Sequence, residues 1–460
     1  MEKFLSVVND IVWNPALVVL LLAAGLYFSV RTRFLQVRRL GLMVRTLFGG
    51  KVGDNGISSF QAFCLALSGR VGTGNIVGVA AAIAFGGPGA VFWMWVVAFL
   101  GASTAFVEST LAQIYRFPHE GGSRGGPFTF YEKGLGRRWL GVVLAAITIL
   151  SSGIFLTGVQ ANGVSSTLSN AFSVPPLATG LALAGLTALV VVGGVHRIAR
   201  VAAFVTPFMA AGYILLSLVV VFSHIHEVPA MFALIFRSAF GMDPLLGGIL
   251  GSTISMGVKR GLFSNEAGQG TGAIVSAAAD VQNPAQQGLA QAFSVYVDTL
   301  LVCTATALMI LTSGTYNVMD ANGVVVVSHA PSLGENYTAF TQSAVDTVFP
   351  GFGSEFVAVA MLFFVFTTIL AYYFYAESSI MYLFRKRKSL WEKINVRGLQ
   401  AILLASIVFG SVKDANLVWK MGDIGVGLMA WLTVIAIIIL FPKALKALKD
   451  YEQDLKAKKE

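Results

Sequence analysis

Long apolar runs, separated by short segments of charged or turn-forming residues, follow one another along the whole 460-residue chain. Eleven of these runs predict membrane-spanning helices, at residues 11–30, 58–85, 88–114, 139–170, 176–195, 199–222, 245–280, 287–312, 354–384, 397–412 and 421–441. The second, fourth, seventh and ninth runs exceed the about 20 residues that cross a bilayer, so we expect these helices to be tilted, broken or extended. No alternating pattern of the outer-membrane barrel type recurs, and the predicted fold class is an all-α polytopic membrane protein.

The composition supports the same class. Hydrophobic residues make up 56% of the chain and the mean hydropathy is +0.74, far above a soluble domain. Basic loops on one side of a membrane explain the net charge of +9, so we expect no nucleic-acid partner. The first run is longer than a signal-peptide core and is followed at once by Arg31 and Arg33, which predicts a retained helix. The two cysteines, Cys64 and Cys303, lie inside predicted spans and are expected to be free thiols.

Basic residues are distributed unevenly between the two predicted sides of the membrane. One set of alternate loops, together with the tail after Pro442, holds 25 of the 32 Lys and Arg residues. Because positively charged loops remain in the cytoplasm, this asymmetry predicts an N-terminus outside the cell and a C-terminus in the cytoplasm. We therefore expect a multi-pass protein of the cell membrane, in contact with membrane lipid. Residues 1–57 would hold one extra helix and a basic cytoplasmic linker, and residues 443–460 a basic cytoplasmic tail.

Two of the predicted spans contain polar, glycine-rich interruptions. The second span contains SGRVGTGNIVG at Ser68–Gly78, and the seventh contains KRGLFSNEAGQGTG at Lys259–Gly272. Aligned at their arginines, the two stretches share Arg at the first position, Asn at the sixth and Gly at the ninth. Five spans separate the starts of the two interrupted helices, so the second crosses the membrane in the opposite direction. This predicts an inverted repeat of five plus five helices, at 58–222 and 223–442, after one extra N-terminal helix.

An interrupted membrane helix leaves backbone groups free to bind a ligand. Free N–H groups at the start of a half-helix bind a carboxylate, and free carbonyls at the end of the other half coordinate a cation. Glycines let the ligand approach the backbone, and Asn75 adds a side-chain oxygen suited to an alkali cation. The alternative is that the glycines only allow close contact between helices, with no ligand.

Ionisable residues inside the predicted spans are costly unless they face a cavity or a partner. They are Arg70, Glu108, Lys259, Arg260, Glu266, Asp298 and Glu377. Internal salt bridges, such as Arg70 or Arg260 with Glu266 or Glu108, are one interpretation. The other is that one acid completes a cation site or acts as a gate, and Asp298, near the middle of its helix, is the best placed.

Two further groups of polar residues have two interpretations each. Gln160 and Asn162, beside Phe155, either line a small-solute pocket or form hydrogen bonds between helices. Thr367 and Thr368 are adjacent hydroxyls in an otherwise apolar span. A single threonine in such a helix usually bonds back to its own backbone, whereas a pair is suited to supplying oxygens to a cation.

The stretch GGPGAVFWMWVVAFLG at Gly86–Gly101 resembles the signature of the alanine/glycine:cation symporter family, the amino-acid carrier proteins. GTGNIVGVA, RGLFSNEAGQG and the region from Asn283 to Leu308 resemble this family too, so the similarity runs along nearly the whole chain. The resemblance implies sodium-coupled, or less often proton-coupled, uptake of alanine and glycine. It also implies membership of the amino acid–polyamine–organocation superfamily, with the five-plus-five fold of the bacterial leucine transporter.

The resemblance further implies roles for individual residues. Val71–Asn75 is similar to the unwound first core helix of sodium-coupled relatives, where backbone amides hold the substrate carboxylate and the asparagine helps to bind sodium. The Thr367–Thr368 pair is similar to paired hydroxyls that bind another sodium with first-helix carbonyls, here near Ser68 and Val71. Arg70 and the pair Lys259–Arg260 depart from these relatives, which leaves the number of sodium ions open.

Residues and resemblance together predict a symporter that couples inward sodium movement, with a proton as the alternative, to uptake of alanine and glycine. The expected substrate contacts are Gly72, Thr73, Gly74, Asn75, Gln160, Phe263, Ser264 and Asn265, with Phe263 limiting the side-chain volume. The expected sodium ligands are Ser68, Val71, Asn75, Asp298, Thr367 and Thr368. A cation-independent amino-acid exchanger and a small-solute channel remain as alternatives. No nucleotide-binding or metalloprotease motif is present, so we expect no enzyme and no organic cofactor, and we expect a functional monomer.

Overall fold

A computed structural model describes residues 2–48, 56–119, 122–243, 246–320, 323–385 and 389–457. This part of the chain is almost entirely helical, as the apolar runs predict. Its α-helices are Glu2–Val12, Pro15–Arg31, Leu35–Arg38, Leu40–Phe48, Ser59–Arg70, Val79–Gly86, Ala90–Tyr115, Pro127–Thr129, Arg138–Leu150, Thr157–Phe172, Pro176–Val191, Gly194–Ser223, Val228–Ala239, Leu250–Asn265, Thr271–Ala278, Pro284–Val295, Thr304–Thr312, Phe340–Asp346, Gly353–Phe384, Ser389–Val412 and Ala415–Ala457. π-Helical segments occur at Gly74–Gly78, Phe130–Gly134, Ser151–Leu156 and Tyr296–Cys303, and 3₁₀ turns at Ile225–Glu227, Gly247–Ile249, Pro331–Leu333 and Tyr337–Ala339.

Length and apolar character mark the membrane-spanning helices. Among the described residues, eight helices are long and apolar enough to cross a bilayer, and the bent pair Ser59–Arg70 and Gly74–Gly86 makes up to nine. The shorter apolar helix Pro176–Val191 and the interrupted stretch from Leu250 to Ala278 coincide with the two remaining predicted runs. The predicted all-α polytopic fold class is confirmed.

The ends of the predicted segments differ from the helices in two places. The last helix, Ala415–Ala457, continues through Pro442, so the described part of the basic tail extends the final span as one helix. The preceding helix begins at Ser389, earlier than the apolar run at 397–412 indicates, because its first turns are amphipathic and carry basic residues. Parts of the predicted basic segments, at 49–55, 386–388 and 458–460, lie outside the described residues.

The two interrupted spans form a pair of broken helices. We call Ser59–Arg70 with Gly74–Gly86 the first broken helix, whose halves are bent by 51°. We call Leu250–Asn265 with Thr271–Ala278 the second broken helix. Both interruptions lie inside buried segments, so the breaks are internal features of the protein and not loops at its surface.

The broken helices cross each other in opposite directions. Ile57, just before the first broken helix, exchanges backbone hydrogen bonds with the carbonyl of Ala278 and the N–H of Asp280, at the end of the second. At the opposite end, Gly86 of the first broken helix lies against Met256 near the start of the second. Because the start of one helix meets the end of the other, the two run antiparallel and their breaks lie side by side.

Four other helices enclose the breaks. Ala90–Tyr115 packs against Pro284–Val295 and against both halves of the second broken helix. Gly353–Phe384 packs against Thr157–Phe172 and against the first broken helix. The polar interruptions are therefore buried between two layers of apolar helices.

Two short hairpins connect helices outside the spans. Strand β1 (Phe117–His119) pairs antiparallel with β2 (Gly122–Arg124). Strand β3 (Asn317–Met319) pairs antiparallel with β4 (Val325–Ser328), with a register shift between Val318 and Met319. The described residues form no other strands, and neither hairpin contributes to the site below.

Candidate functional site

The first break exposes two backbone amides that are held by side-chain oxygens. The first half-helix ends at Arg70, and Val71 is extended with φ −78° and ψ 96°. The N–H of Gly72 donates to Oδ1 of Asn75 at 2.8 Å, and the N–H of Thr73 donates to Oε1 of Gln160 at 2.8 Å. Side-chain oxygens therefore occupy both amides.

Gly72 lies in a space that admits no side chain. A Cβ added at this position would be 2.6 Å from both Gln160 Oε1 and Thr368 Oγ1. A Cβ at Gly74 would be 3.1 Å from the ring of Phe263 and 3.3 Å from Cα of Ser264. The glycines therefore let the second broken helix and two neighbouring side chains reach the unwound backbone, and the approach of a ligand to this backbone stays a prediction.

The carbonyls released by the first break converge on one hydroxyl. Thr368 Oγ1 lies 2.8 Å from the carbonyl oxygen of Ser68 and 3.0 Å from that of Val71. It also lies 2.8 Å from the carbonyl oxygen of Phe364 in its own helix. A hydroxyl has one proton, so it can donate to one of these three oxygens at a time. A group of four oxygens with a single proton fits a small cation, since hard cations prefer carbonyl and hydroxyl ligands.

The other threonine of the pair is not brought to this group. Thr367 Oγ1 lies 3.1 Å from the carbonyl oxygens of both Phe363 and Phe364, and 3.5 Å from Met209 Sδ. Its hydroxyl therefore bonds back to its own helix, on the side away from the first break.

Asp298 joins the two broken helices. Asn75 Nδ2 donates to Oδ1 of Asp298 at 2.6 Å, and the Ser264 hydroxyl lies 2.9 Å from Oδ2 and 3.1 Å from Oδ1. The Thr299 hydroxyl donates to Oδ2 at 2.6 Å. The carboxylate is completely buried. Three expected site residues, Asn75, Ser264 and Asp298, are thus in direct contact.

The second break is shaped by a carboxylate from another helix. Glu266 adopts a left-handed conformation with φ 55°, and Gly268 and Gly270 follow with φ 92° and 86°. Oε2 of Glu108 accepts the N–H groups of Gly268 and Gly270, both at 3.1 Å. Asn265, an expected substrate contact, instead accepts the N–H of Ala267 and so forms a local turn at the end of its half-helix. Glu108 therefore occupies the backbone amides that this break exposes.

Glu266 and Arg70 complete a buried charged centre. Oε2 of Glu266 accepts hydrogen bonds from Thr271 at 2.9 Å and Tyr375 at 3.2 Å. Arg70 bonds to Gln291 and Ser294 on the helix Pro284–Val295. Among the described residues Arg70 has no carboxylate within 4.0 Å, so the expected salt bridges of Arg70 with Glu108 or Glu266 are not formed.

Lys259 and Arg260 have a different partner from the one expected. Asp423 Oδ2 lies 2.6 Å from Nη2 of Arg260 and 3.2 Å from Nζ of Lys259. The guanidinium of Arg260 also lies 4.6 Å from the ring centroid of Trp419. The expected salt bridge of Arg260 with Glu266 or Glu108 is therefore replaced by one with Asp423 on the last helix.

The remaining expected site residues surround the first break. Phe263 packs on Trp419, with ring centroids 5.0 Å apart, and its edge faces Gly74. Gln160 contacts the first break, whereas Asn162 donates to the carbonyls of Gly410 and Lys413 and so joins two helices. Both side chains therefore form the hydrogen bonds between helices that one interpretation expects, and the pocket at Gln160 stays a prediction.

The sequence assigns no role to several residues of the site. Glu108 and Glu266 stand out in the sequence only as charges in the membrane. Neither Tyr375 nor Tyr372, whose hydroxyl lies 3.4 Å from Nε2 of Gln160, stands out. A usable signal exists for the tyrosines, since Thr368, Tyr372 and Tyr375 are four and three residues apart and share one helix face. No sequence signal shows that Glu108 caps the second break, because the two are 160 residues apart.

Two antiparallel broken helices around a buried polar centre are the arrangement of a secondary transporter. The chain belongs to the sodium:alanine symporter family, whose family model matches residues 1–460. It is therefore a multi-pass membrane transporter and not an enzyme.

Relatives support this assignment, and a solved structure supports the fold. The chain is 48% identical to the sodium/proton-dependent alanine carrier protein of Bacillus sp. (strain PS3), over 91% of this chain and 93% of the relative. It is 42% identical to the protein named "Probable sodium/glutamine symporter GlnT" of Bacillus subtilis (strain 168), over 100% and 92% of the two chains. The crystal structure of MhsT in complex with L-phenylalanine is similar with a TM-score of 0.55 at 15% identity, covering 85% of this chain and 100% of that chain. This likeness shows the leucine-transporter type of fold that the sequence predicts.

Proposed function

We propose that this protein is a symporter that couples the inward movement of sodium, with a proton as the alternative coupling ion, to the uptake of alanine and glycine. Alternating access of the site between the two broken helices to the two sides of the membrane would carry both solutes across. The family supports symport, and the names of the relatives support sodium or protons as coupling ions and alanine as a substrate. The relative named for glutamine shows that the amino acid varies between members.

The observation that carries the proposal is an imbalance of buried charge. Glu108, Glu266 and Asp298 are each at most 1% exposed, and Arg70 is 2% exposed. All three carboxylates accept hydrogen bonds from N–H or O–H donors, and one oxygen of Glu108 and one of Glu266 have no hydrogen-bond partner among the described residues. One guanidinium can balance only one carboxylate in a low-dielectric interior, so the others need protons or cations from outside the protein, and these are the two coupling ions of the proposal.

Sodium is proposed to bind at the carbonyls of the first break. The carbonyl oxygens of Ser68 and Val71 and the hydroxyl of Thr368 would be its ligands, because they form the oxygen-rich, proton-poor group described above. Asp298 and Asn75 would supply a second cation position, or the position of the substrate ammonium group. Thr367 is not included among these ligands, since its hydroxyl bonds back to its own helix and faces Met209.

The amino acid is proposed to bind beside the sodium. Its carboxylate would accept the N–H groups of Gly72 and Thr73 in place of the side-chain oxygens of Asn75 and Gln160. The ring of Phe263, against Gly74, would limit the volume left for the substrate side chain. A small volume favours glycine and alanine over larger amino acids.

Topology and assembly are part of the same proposal. The antiparallel crossing of the broken helices supports inverted repeats at 58–222 and 223–442, with one helix before them. The uneven distribution of Lys and Arg supports an N-terminus outside the cell and a C-terminus in the cytoplasm. The complete site lies within one chain, which supports a functional monomer.

The test is uptake of labelled alanine into proteoliposomes under an imposed sodium gradient, a proton gradient or neither. We expect uptake driven by at least one cation gradient, with glycine as a competitor. Asp298→Asn should abolish the dependence on the cation gradient, whereas Asp346→Asn, which changes a carboxylate bonded to Ser354 outside the site, should not. Uptake that is independent of both gradients but requires amino acid inside the proteoliposomes would establish exchange and overturn symport.

A further inference from the structure

A basic surface is formed where the helix Pro15–Arg31 ends beside the extension of the last helix beyond Pro442. Arg38 and Arg39 join these two parts, since their side chains lie 2.9 Å and 2.8 Å from Oε1 of Glu452. A cavity of about 380 Å³ lies next to this bridge. We call it the basic cavity, and its charged lining residues are Arg31, Arg33, Arg38, Lys449 and Glu452.

The charges around the basic cavity are not balanced. Glu452 is its one acidic lining residue, and Arg38 and Arg39 already occupy the carboxylate. Arg31, Arg33 and Lys449 are exposed, and among the described residues none of the three has a carboxylate within 4.0 Å. Asp450 and Asp454 follow on the same helix but do not line the cavity. Three cations therefore face one cavity with no anion to neutralise them.

Apolar side chains surround these cations at the surface. Val30 is 54% exposed, Phe34 41% and Val37 61%, and all three lie within a few residues of Arg31 and Arg33. Arg33 and Phe34 both have positive φ, 56° and 51°, which side chains with a Cβ rarely adopt. This turn places Arg33 in the cavity and leaves the ring of Phe34 outside. Basic groups beside exposed apolar groups are typical of the boundary between headgroups and acyl chains.

We propose that the basic cavity binds the phosphodiester headgroup of an anionic phospholipid. Arg31, Arg33 and Lys449 would contact the phosphate, and the acyl chains would lie along Val30 and Val37. A soluble anion would not contact the apolar side chains, whereas a lipid would contact both the basic residues and the apolar side chains. Lipid bound here would hold the N-terminal helix and the end of the last helix together, on a surface separate from the transport site.

Native mass spectrometry of the full-length protein, taken from bilayers of phosphatidylglycerol and phosphatidylcholine in equal amounts, tests the proposal. The wild type should retain phosphatidylglycerol in preference to phosphatidylcholine. The variant Arg31→Gln/Arg33→Gln/Lys449→Gln should lower that preference on the order of a hundredfold, since each basic residue near a membrane contributes roughly fivefold. The control Arg137→Gln/Arg197→Gln/Arg200→Gln removes three exposed charges elsewhere and should keep the wild-type preference.

Three results would overturn the proposal. They are unchanged retention in the cavity variant, an equal loss in the control variant, and displacement of the lipid by an excess of inorganic phosphate, which would identify a site for soluble anions. Thermal unfolding in detergent checks that the cavity variant is folded. If it is not, Lys449→Gln alone should still lower the preference roughly fivefold, and an unchanged preference in this variant would also count against the lipid site.

Discussion

The hydroxyl of Thr368 lies 2.8 Å from the carbonyl oxygen of Ser68, although 300 residues separate the two in the chain. The same hydroxyl lies 3.0 Å from the carbonyl oxygen of Val71. Thr368 therefore connects the helix Gly353–Phe384 to the end of the first half-helix, and any movement of Gly353–Phe384 must either carry these carbonyls with it or break the contact.

Thr368→Val tests whether this hydroxyl is a sodium ligand. The variant keeps the shape of the side chain and removes one oxygen, so the sodium concentration for half-maximal uptake should rise by about tenfold or more, equivalent to about 1.4 kcal/mol of binding free energy. The matched control is Thr367→Val, whose hydroxyl bonds to its own helix and should leave the sodium dependence nearly unchanged. The measurement is sodium-dependent alanine uptake in proteoliposomes. Equal effects of the two substitutions would contradict the assignment.

Gly72→Ala tests the close approach at the first break. The added methyl group would lie 2.6 Å from Gln160 Oε1 and Thr368 Oγ1, so we expect alanine uptake to be lost and the unfolding free energy to fall by about 1–3 kcal/mol. Gly78→Ala in the same motif is the control. Its added carbon would be 3.8 Å from the nearest atoms, and alanine stabilises a helix by about 1 kcal/mol relative to glycine. If Gly78→Ala also abolished transport, the loss in Gly72→Ala could not be attributed to the close contacts of Gly72.

Phe263→Leu tests the limit on substrate size. A smaller side chain against Gly74 should raise uptake of glutamine relative to alanine, because more volume is left beside the unwound backbone. The control is Phe128→Leu, a fully buried ring that packs on Tyr382 with centroids 4.7 Å apart, away from the break. Competition of unlabelled glutamine with labelled alanine measures the ratio. An unchanged ratio would show that Phe263 does not line the substrate side-chain pocket.

Asp423→Asn tests the ion pairs between the second broken helix and the last helix. Removing this charge leaves the buried Arg260 and the partly buried Lys259 with no carboxylate in contact, and the unfolding free energy should fall by roughly 3–5 kcal/mol. Arg260→Gln should cost less, because Lys259 still neutralises the aspartate. Thermal unfolding of the purified protein in detergent compares the two. A larger loss in Arg260→Gln would point to the contact with Trp419 as the main source of stability.

Much of the fold could be predicted from the chain alone. Each apolar run became a helix or a broken helix because, in lipid, a segment of this length must satisfy its own backbone hydrogen bonds. The two breaks could also be located, since several glycines together with asparagine or serine in the middle of an apolar span weaken the helix at that point. The family could be identified from stretches such as Gly86–Gly101, and the match of its model to residues 1–460 confirms that identification.

Pairings between distant side chains were harder to predict. Arg260 was expected to meet Glu266 or Glu108 but meets Asp423, because the helix Ala415–Ala457 brings a carboxylate to its side of the second broken helix. Glu266 is turned instead towards Thr271 and Tyr375 by its left-handed backbone. Charge alone does not decide which of several carboxylates is the partner.

Local composition determined that this chain enters a membrane, where its helices lie and where two of them break, because hydropathy and glycine content act over a few neighbouring residues. Only the tertiary structure decided that Thr368 faces the first break while Thr367 faces Met209, and that Asp298 rather than Glu108 joins the two broken helices. The rotation of each helix about its own axis settles these contacts. That rotation depends on packing against all its neighbours together, which no single stretch of sequence contains.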